Sequence, residues 1–438
     1  MSELPWMRPL PESWPLVKLK YICNFIGGGT PDTGNAEYWG GQIPWVSPKD
    51  MKAGFIADTE DHLTEAGIAS SPCKVVGPGA VLIVMRSGIL RHSIPVAINK
   101  LAVALNQDMR AIIPDERLNA RYLARLFEGH QAELLHAWGK EGATVESLDS
   151  ELLDAAPIPI PPTPDQINIA VYLDQETARI DLLTVAKERL LLLLGEKRQA
   201  IVAHAVTRGI NPSAPLRGSG VSWLGEIPAH WKLIALRFLV DVSSGATPDT
   251  SKPEYWGGEI PWVSPKDMKR DEIADAEDHL TELALSASTL QIVAPGAVLI
   301  VVRGMILMHS FPTAVTIAPV TINQDMKALR CGPELDPVFL RDFFRGIEKH
   351  LVSLADQSAH GTRKLETEVL GRLQVCLPPI DEQRAIVSQI AAETATIDAL
   401  RCATERTISL LRERRAALIA AAVTGQVEIP ATVDAAEA

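Results

Sequence analysis

This chain of 438 residues is short of cysteine, aromatics and long apolar runs. Its five cysteines (Cys23, Cys73, Cys331, Cys376 and Cys402) are odd in number and form no CxxC pair. That argues against a disulfide framework or a cysteine-built metal site, and leads us to expect a reducing, cytoplasmic setting. Gly79–Met85 and Leu190–Leu194 are among the longest apolar runs. Both fall far below the roughly 20 residues that span a bilayer, so no membrane role is expected. MSELPWMRPLPESW lacks a basic stretch followed by an apolar core, so no signal peptide is expected either. Positive charge is scarce too, with 42 Lys+Arg against 54 Asp+Glu, or −12 net. A solitary nucleic-acid binder is therefore disfavoured, unless basic side chains are focused on one surface or partners supply the rest. Catalytic signatures are missing: there is no Walker A loop, GxGxxG, HExxH or GxSxG. We expect the chain to catalyse nothing and to bind no cofactor itself.

What the chain does have is a second copy of itself. TPDTGNAEYWGGQIPWVSPKDMK from Thr30 returns at Thr247 with 19 of 23 positions identical. The offset of 217 residues holds without a gap for DHLTE (Asp61, Asp278), GAVLIV (Gly79, Gly296), NQDM (Asn106, Asn323) and AVT (Ala205, Ala422). Periods of 20–50 residues mark solenoids; one this long marks a tandem duplication of whole folding units. No cysteine keeps its position in both copies.

Each copy changes texture once. Lys74–Arg86 and Ala97–Asn106 read as strands between turns, and Leu118–Trp138 as a helix packed on them. The proline-rich PIPIPPTPDQ (Pro157–Gln166) then forms a stiff connector into a long helical pattern. With Leu173, Ile180 and Leu194 at a and Ile169, Leu183 and Leu190 at d, seven of ten core positions are apolar. The second copy has Ile390, Ile397, Leu411 and Leu418 with Ile386 and Leu400, six of ten. Such a stripe reads as a coiled-coil-like seam along a rod of roughly 60 Å, and the two rods are expected to pair. Residues 211–229 read as a linker and 426–438 as a disordered tail.

Polar loop residues recurring in both copies are candidate contacts to base edges and phosphates, because Arg, Lys, Asn, Gln and Ser are the types that make them. They are Ser47, Lys49, Lys52, Arg86, His92, Asn106 and Gln107, then Ser264, Lys266, Lys269, Arg303, His309, Asn323 and Gln324, joined by Arg91 and Lys327. A metal-dependent nuclease is one alternative, since Pro31-Asp32…Asp50-Met51-Lys52 and Pro248-Asp249…Asp267-Met268-Lys269 match a PD…DxK pattern. A protein scaffold built on the rods, binding no DNA, is another.

Together, GxTP, EYWGG-x-IPWVSPKDM, the NQ pair and IPxPPxxDQ/EQ before a helix ending near VT resemble the specificity subunit of type I restriction–modification systems. The resemblance covers almost the whole chain. It implies an α+β architecture of two repeated α/β target recognition domains, residues 1–160 and 218–377, separated by long antiparallel coiled-coil-like helices, 163–210 and 380–425, with pseudo-two-fold symmetry. It also implies a non-catalytic subunit that reads a split site in double-stranded DNA and docks two modification (methyltransferase) subunits. Those partners carry S-adenosylmethionine and methylate adenine, and a further restriction subunit uses ATP and Mg to translocate and cleave. The family pattern is two dissimilar recognition domains. Here Gly79–Ser93 matches Gly296–Ser310 at 11 of 15 positions, but Arg110–Ser150 matches Lys327–Thr367 at only 7 of 41. Similar readers related by a pseudo-dyad see inverted repeats, so a nearly palindromic interrupted target is expected. If the diverged block carries the reading, the half-sites differ instead.

Overall fold

The computed structural model describes residues 10–140, 145–357 and 362–430. It divides into two compact units, 1–188 with 406–438 and 189–405. The rods are therefore not independent bodies: each long helix, Thr163–Arg208 and Ile380–Val423, gives one portion to each unit.

Both units have the same topology. A five-stranded sheet in the first runs Cys23–Gly27, Met109–Pro114, Val81–Val84, Val96–Asn99, Phe55–Ile56. Beside it lies a three-stranded sheet, Asp61–Leu63, Trp39–Val46, Ala104–Leu105. The second unit repeats both orders with Val240–Ser244, Met326–Cys331, Ala297–Val301, Thr313–Thr316, Glu272–Ile273 and with Asp278–Leu280, Trp256–Val263, Thr321–Ile322. The apolar run Val81–Val84 is buried at every position, as a central strand must be. Leu16–Lys18 pairs antiparallel with Pro157–Pro159, so the domain's first strand is stapled to the connector ahead of its long helix. The stretch Leu118–Trp138 forms two helices, Ala120–Gly129 and Gln131–Trp138, rather than one.

The long helices are built into the domain cores. Ile169, Leu173, Ile419, Ala422 and Val423 share one apolar cluster with Val81–Val84, Tyr122 and Phe127. Val202, Ala205, Val206, Ile386 and Ile390 join Phe339, Phe343 and Phe344 in the other unit. Within the first unit Arg415 bonds Asp181 and Arg412 bonds Glu188, both at 2.8–2.9 Å, so the helix portions run antiparallel there. Arg198–Asp398 at 2.9 Å in the second unit is the same pair at the 217-residue offset.

The seam differs from the expected one. Ile169, Leu173, Ile180, Leu194, Ile386, Ile390, Ile397 and Leu411 are buried, and Leu190 and Leu418 are partly buried. Leu183 and Leu400, however, are each 45% exposed. The buried partners lie one residue further on: Ala170, Thr177, Thr394 and Ile408. Buried threonine is tolerated because its hydroxyl donates to the carbonyl four residues back, Thr177 to Leu173 and Thr394 to Ile390.

Two other expectations change. Within the expected linker, Leu216–Gly218 pairs with Glu226–Pro228, and Leu224 and Ile227 enter the second unit's core. At the C-terminal end, the Gln426 amide donates to the Ala421 carbonyl and Ile429 packs on the first core, so these residues are held; 431–438 lie outside the described residues.

Candidate DNA-recognition surface

The repeated turns are fixed by backbone contacts. A Cβ at Gly28 would stand 2.0 Å from the Asn106 carbonyl oxygen, and one at Gly245 2.0 Å from that of Asn323. Only glycine allows this approach, which explains why GGGT can become SGAT yet keeps its second position. The neighbouring threonines bond the NQ glutamines, Thr30 to Gln107 and Thr247 to Gln324. Trp45 donates its indole N–H to the Gly29 carbonyl at 3.1 Å and meets Trp39 edge-on, 5.1 Å between centroids; Trp262 and Trp256 repeat this. The tryptophans thus anchor a small core.

This framework sorts the candidate residues. Ser47, Ser264, Asn106 and Asn323 are buried and occupied in turns, so they are corrected from surface contacts to framework. Asp50 Oδ2 accepts from the backbone N–H and hydroxyl of Ser47, both at 2.8 Å, and its Oδ1 accepts from the Glu60 amide at 3.1 Å. Asp267 is held identically by Ser264 and Glu277. With both oxygens committed to the turn, neither aspartate is free to hold a metal ion, and nothing supports the nuclease alternative. The Asn106 and Asn323 carboxamides accept from the Asp108 and Asp325 amides.

The exposed candidates carry the surface. Lys49 lies 2.8 Å from Asp61 and 3.4 Å from Glu60, and the hydrogen bond to Asp61 raises its pKa; Lys266 repeats this with Asp278 and Glu277. Arg86 pairs with Asp108 at 2.7 Å, Arg303 with Asp325 at 3.9 Å, Arg91 with Glu146 at 3.3 Å, and Lys327 donates to the Ser244 hydroxyl. Lys52 and His92, with Lys269 and His309, are exposed, and Lys52 and His92 line one cleft of about 780 Å³ together with Arg121, Arg125 and Arg415.

Several residues that position this surface were not singled out from sequence. Gln166 is fully buried; its amide donates to the carbonyls of Pro161 and Arg117 and its oxygen accepts from the Asn119 amide, at 2.7–2.9 Å. Gln383 does the same with Pro378, Glu334 and Asp336. The Gln of each DQ/EQ motif therefore clamps a long helix to its domain. Gly129 lets its helix lie against Ala420, where a Cβ would meet backbone at 3.1 Å, and Gly346 does so against Ala203, one repeat earlier. Recurrence at 217 was the available signal for both.

The sequence profile described as the Type I restriction modification DNA specificity domain matches residues 11–192 and again 228–405. The chain belongs to that family. As a specificity-domain protein it is 37% identical over 155 residues to the Type I restriction enzyme EcoR124I/EcoR124II specificity subunit of Escherichia coli, covering 35% of this chain and 38% of that one. It is 27% identical over 286 residues to the MjaIX specificity subunit of Methanocaldococcus jannaschii, 63% of each chain. It thus spans less than two thirds of these relatives. In fold it is similar to a chain solved to explain complex assembly of the type I R-M system, with TM-score 0.73 at 19% identity over 95% of this chain and 99% of that one. The HsdS subunit from Thermoanaerobacter tengcongensis superposes with TM-score 0.53 at 19% identity, covering 98% and 100%.

Proposed function

We propose that the chain is the sequence-reading, non-catalytic subunit of a type I restriction–modification complex, reading a bipartite interrupted target in double-stranded DNA. The supporting observation is the paired constellation: the same Gly28/Thr30/Gln107 framework, with the same exposed Lys52 and His92, recurs as Gly245/Thr247/Gln324 with Lys269 and His309. A reader on each half of a rigid spacer meets two half-sites at a fixed separation. The long helices also leave apolar surface uncovered within each unit, Leu182 at 73% and Val185 at 62% exposed in one and Leu192 at 53% in the other. Uncovered apolar surface of this kind suits protein partners. We assign it to two modification subunits, which would bring S-adenosylmethionine and flip the adenine out of the duplex. ATP and Mg belong to a restriction–translocase subunit. No helix among the described residues is long and apolar enough to cross a membrane, in keeping with a cytoplasmic complex.

The test is to map methylated adenines in the host genome with and without the gene. Loss of one bipartite motif on deletion is expected, and an unchanged methylome would refute the proposal. In binding assays with the modification subunits, affinity should fall with the logarithm of salt concentration; the scaffold alternative requires no DNA affinity at all.

A further inference from the structure

Most of the diverged block faces inward. No residue of Ala120–Gly129 or Pro337–Gly346 is exposed, and both helices pack on the sheet and on a long helix. Their divergence is therefore repacking. The block reaches the surface beside the repeated arginines at its C-terminal end, where Arg86 forms a bridge to Ser147 and Arg303 pairs with Lys364.

At this corner the two copies differ in chemistry. The first carries Ser87, Gly88 and Arg91, with Arg91 paired to Glu146 at 3.3 Å. The second has Gly304, Met305 and Met308 at those positions, with Arg363 in place of Glu146 and Lys364 in place of Ser147. Met305 is 69% and Met308 39% exposed. Gly304 turns the backbone to φ +143, where Ser87 stays extended. The Arg363 guanidinium donates to the Val352 carbonyl, so it adds a charge where the first copy has a neutral pair. An arginine donates to guanine O6 and N7, whereas apolar side chains contact the thymine methyl, so the two corners do not prefer the same base pair.

We infer that the two half-sites share their sequence except at the base pairs facing this corner, and that Arg91 and Glu146, against Met305, Met308 and Arg363, determine the difference. This rests on the DNA-reading function proposed above.

The experiment uses the full chain, expressed with its modification subunit in a host free of other adenine methylation, the motif being read by sequencing of modified bases. The wild type is expected to give half-sites that agree, read as inverted repeats, except at one or two positions. The variant S87G/G88M/R91M/E146R/S147K should convert the first half-site to the second at those positions, with methylation of the original motif reduced about tenfold or more. The reciprocal M308R/R363E leaves Gly304 in place and should shift the second half-site toward the first, so that misfolding of one variant does not decide the matter. Unrelated wild-type half-sites, or active variants with an unchanged motif, would overturn the inference while leaving the DNA-reading function standing. Absence of any motif for the wild type would overturn that function itself.

Discussion

Between Thr30 and Gln107 the first domain and its copy agree at almost every turn, while Arg110–Ser150 and Lys327–Thr367 share only 7 of 41 positions. The two regions are held together by different physics. In the first, backbone lies directly on backbone, as at Gly28 and Asn106, and turn amides are taken up by fixed side chains such as Asp50. Such contacts leave no room for substitution. In the second, a helix presents side chains to a sheet and a long helix, and Tyr122, Leu126 and Phe127 can become Phe339, Phe343 and Phe344 if the volume is kept. Divergence between the copies thus reports how a region packs before it reports what the region reads.

The comparison can be broken most directly at its rigid end. Gly28→Ala and Gly245→Ala drive a Cβ into a carbonyl 2.0 Å away, and each should cost at least about 3 kcal/mol. Urea unfolding should register similar losses for the two; a mild effect in either copy would show that the turns yield and that identity there reflects recent duplication. Next comes the clamp inside the diverged neighbourhood. Gln166→Ala and Gln383→Ala leave buried backbone groups of Pro161, Arg117 and Asn119, or their counterparts, unpartnered, for about 2–3 kcal/mol each. Hydrogen exchange should speed up at the start of the corresponding long helix.

A smaller effect separates the copies. Tyr122 donates its hydroxyl toward the carbonyls of Pro159 and Val423, at 3.2 and 3.0 Å, and Phe339 has no hydroxyl to do so. Tyr122→Phe should lose about 1 kcal/mol, seen as a lower unfolding midpoint. A neutral result would make the two helices interchangeable in packing.

Much of this was legible in the sequence because repetition at 217 marks what each fold needs. The strand Val81–Val84, the packing helix and both long helices follow from periodicity. The seam slipped by one residue because counting apolar positions favours Leu183 and Leu400 over Thr177 and Thr394, whose hydroxyls are satisfied within their own helix. Ser47 and Asn106 were taken for surface contacts because a turn-holding serine or asparagine has the same residue type and loop position as one that meets a base. Burial distinguishes them, and sequence does not state it. Gln166 stood in a recognised motif, but its three backbone partners come from two other segments of the chain, beyond the reach of local pattern.

The finest test concerns one ion pair present in both copies. Arg415 bonds Asp181 at 2.9 Å and also Glu128 at 2.7 Å, on the diverged packing helix. Its counterpart Arg198 bonds Asp398 at 2.9 Å, and the residue matching Glu128 is Arg345, which turns instead to Asp271 at 2.9 Å. The helix-to-helix pair has therefore been kept while the domain's grip on it changed. Asp181 and Asp398 are about half exposed, so solvent screening limits each pair to below about 1 kcal/mol. Arg415→Ala removes two partners and Arg198→Ala one, so the first should lower the unfolding midpoint by the larger, still small, amount. A double-mutant cycle of Arg415→Ala with Glu128→Gln isolates the bond that the second copy lacks. Coupling indistinguishable from zero would mean that Glu128 adds nothing to the pair, and that the copies grip their long helices equally well despite their different charges.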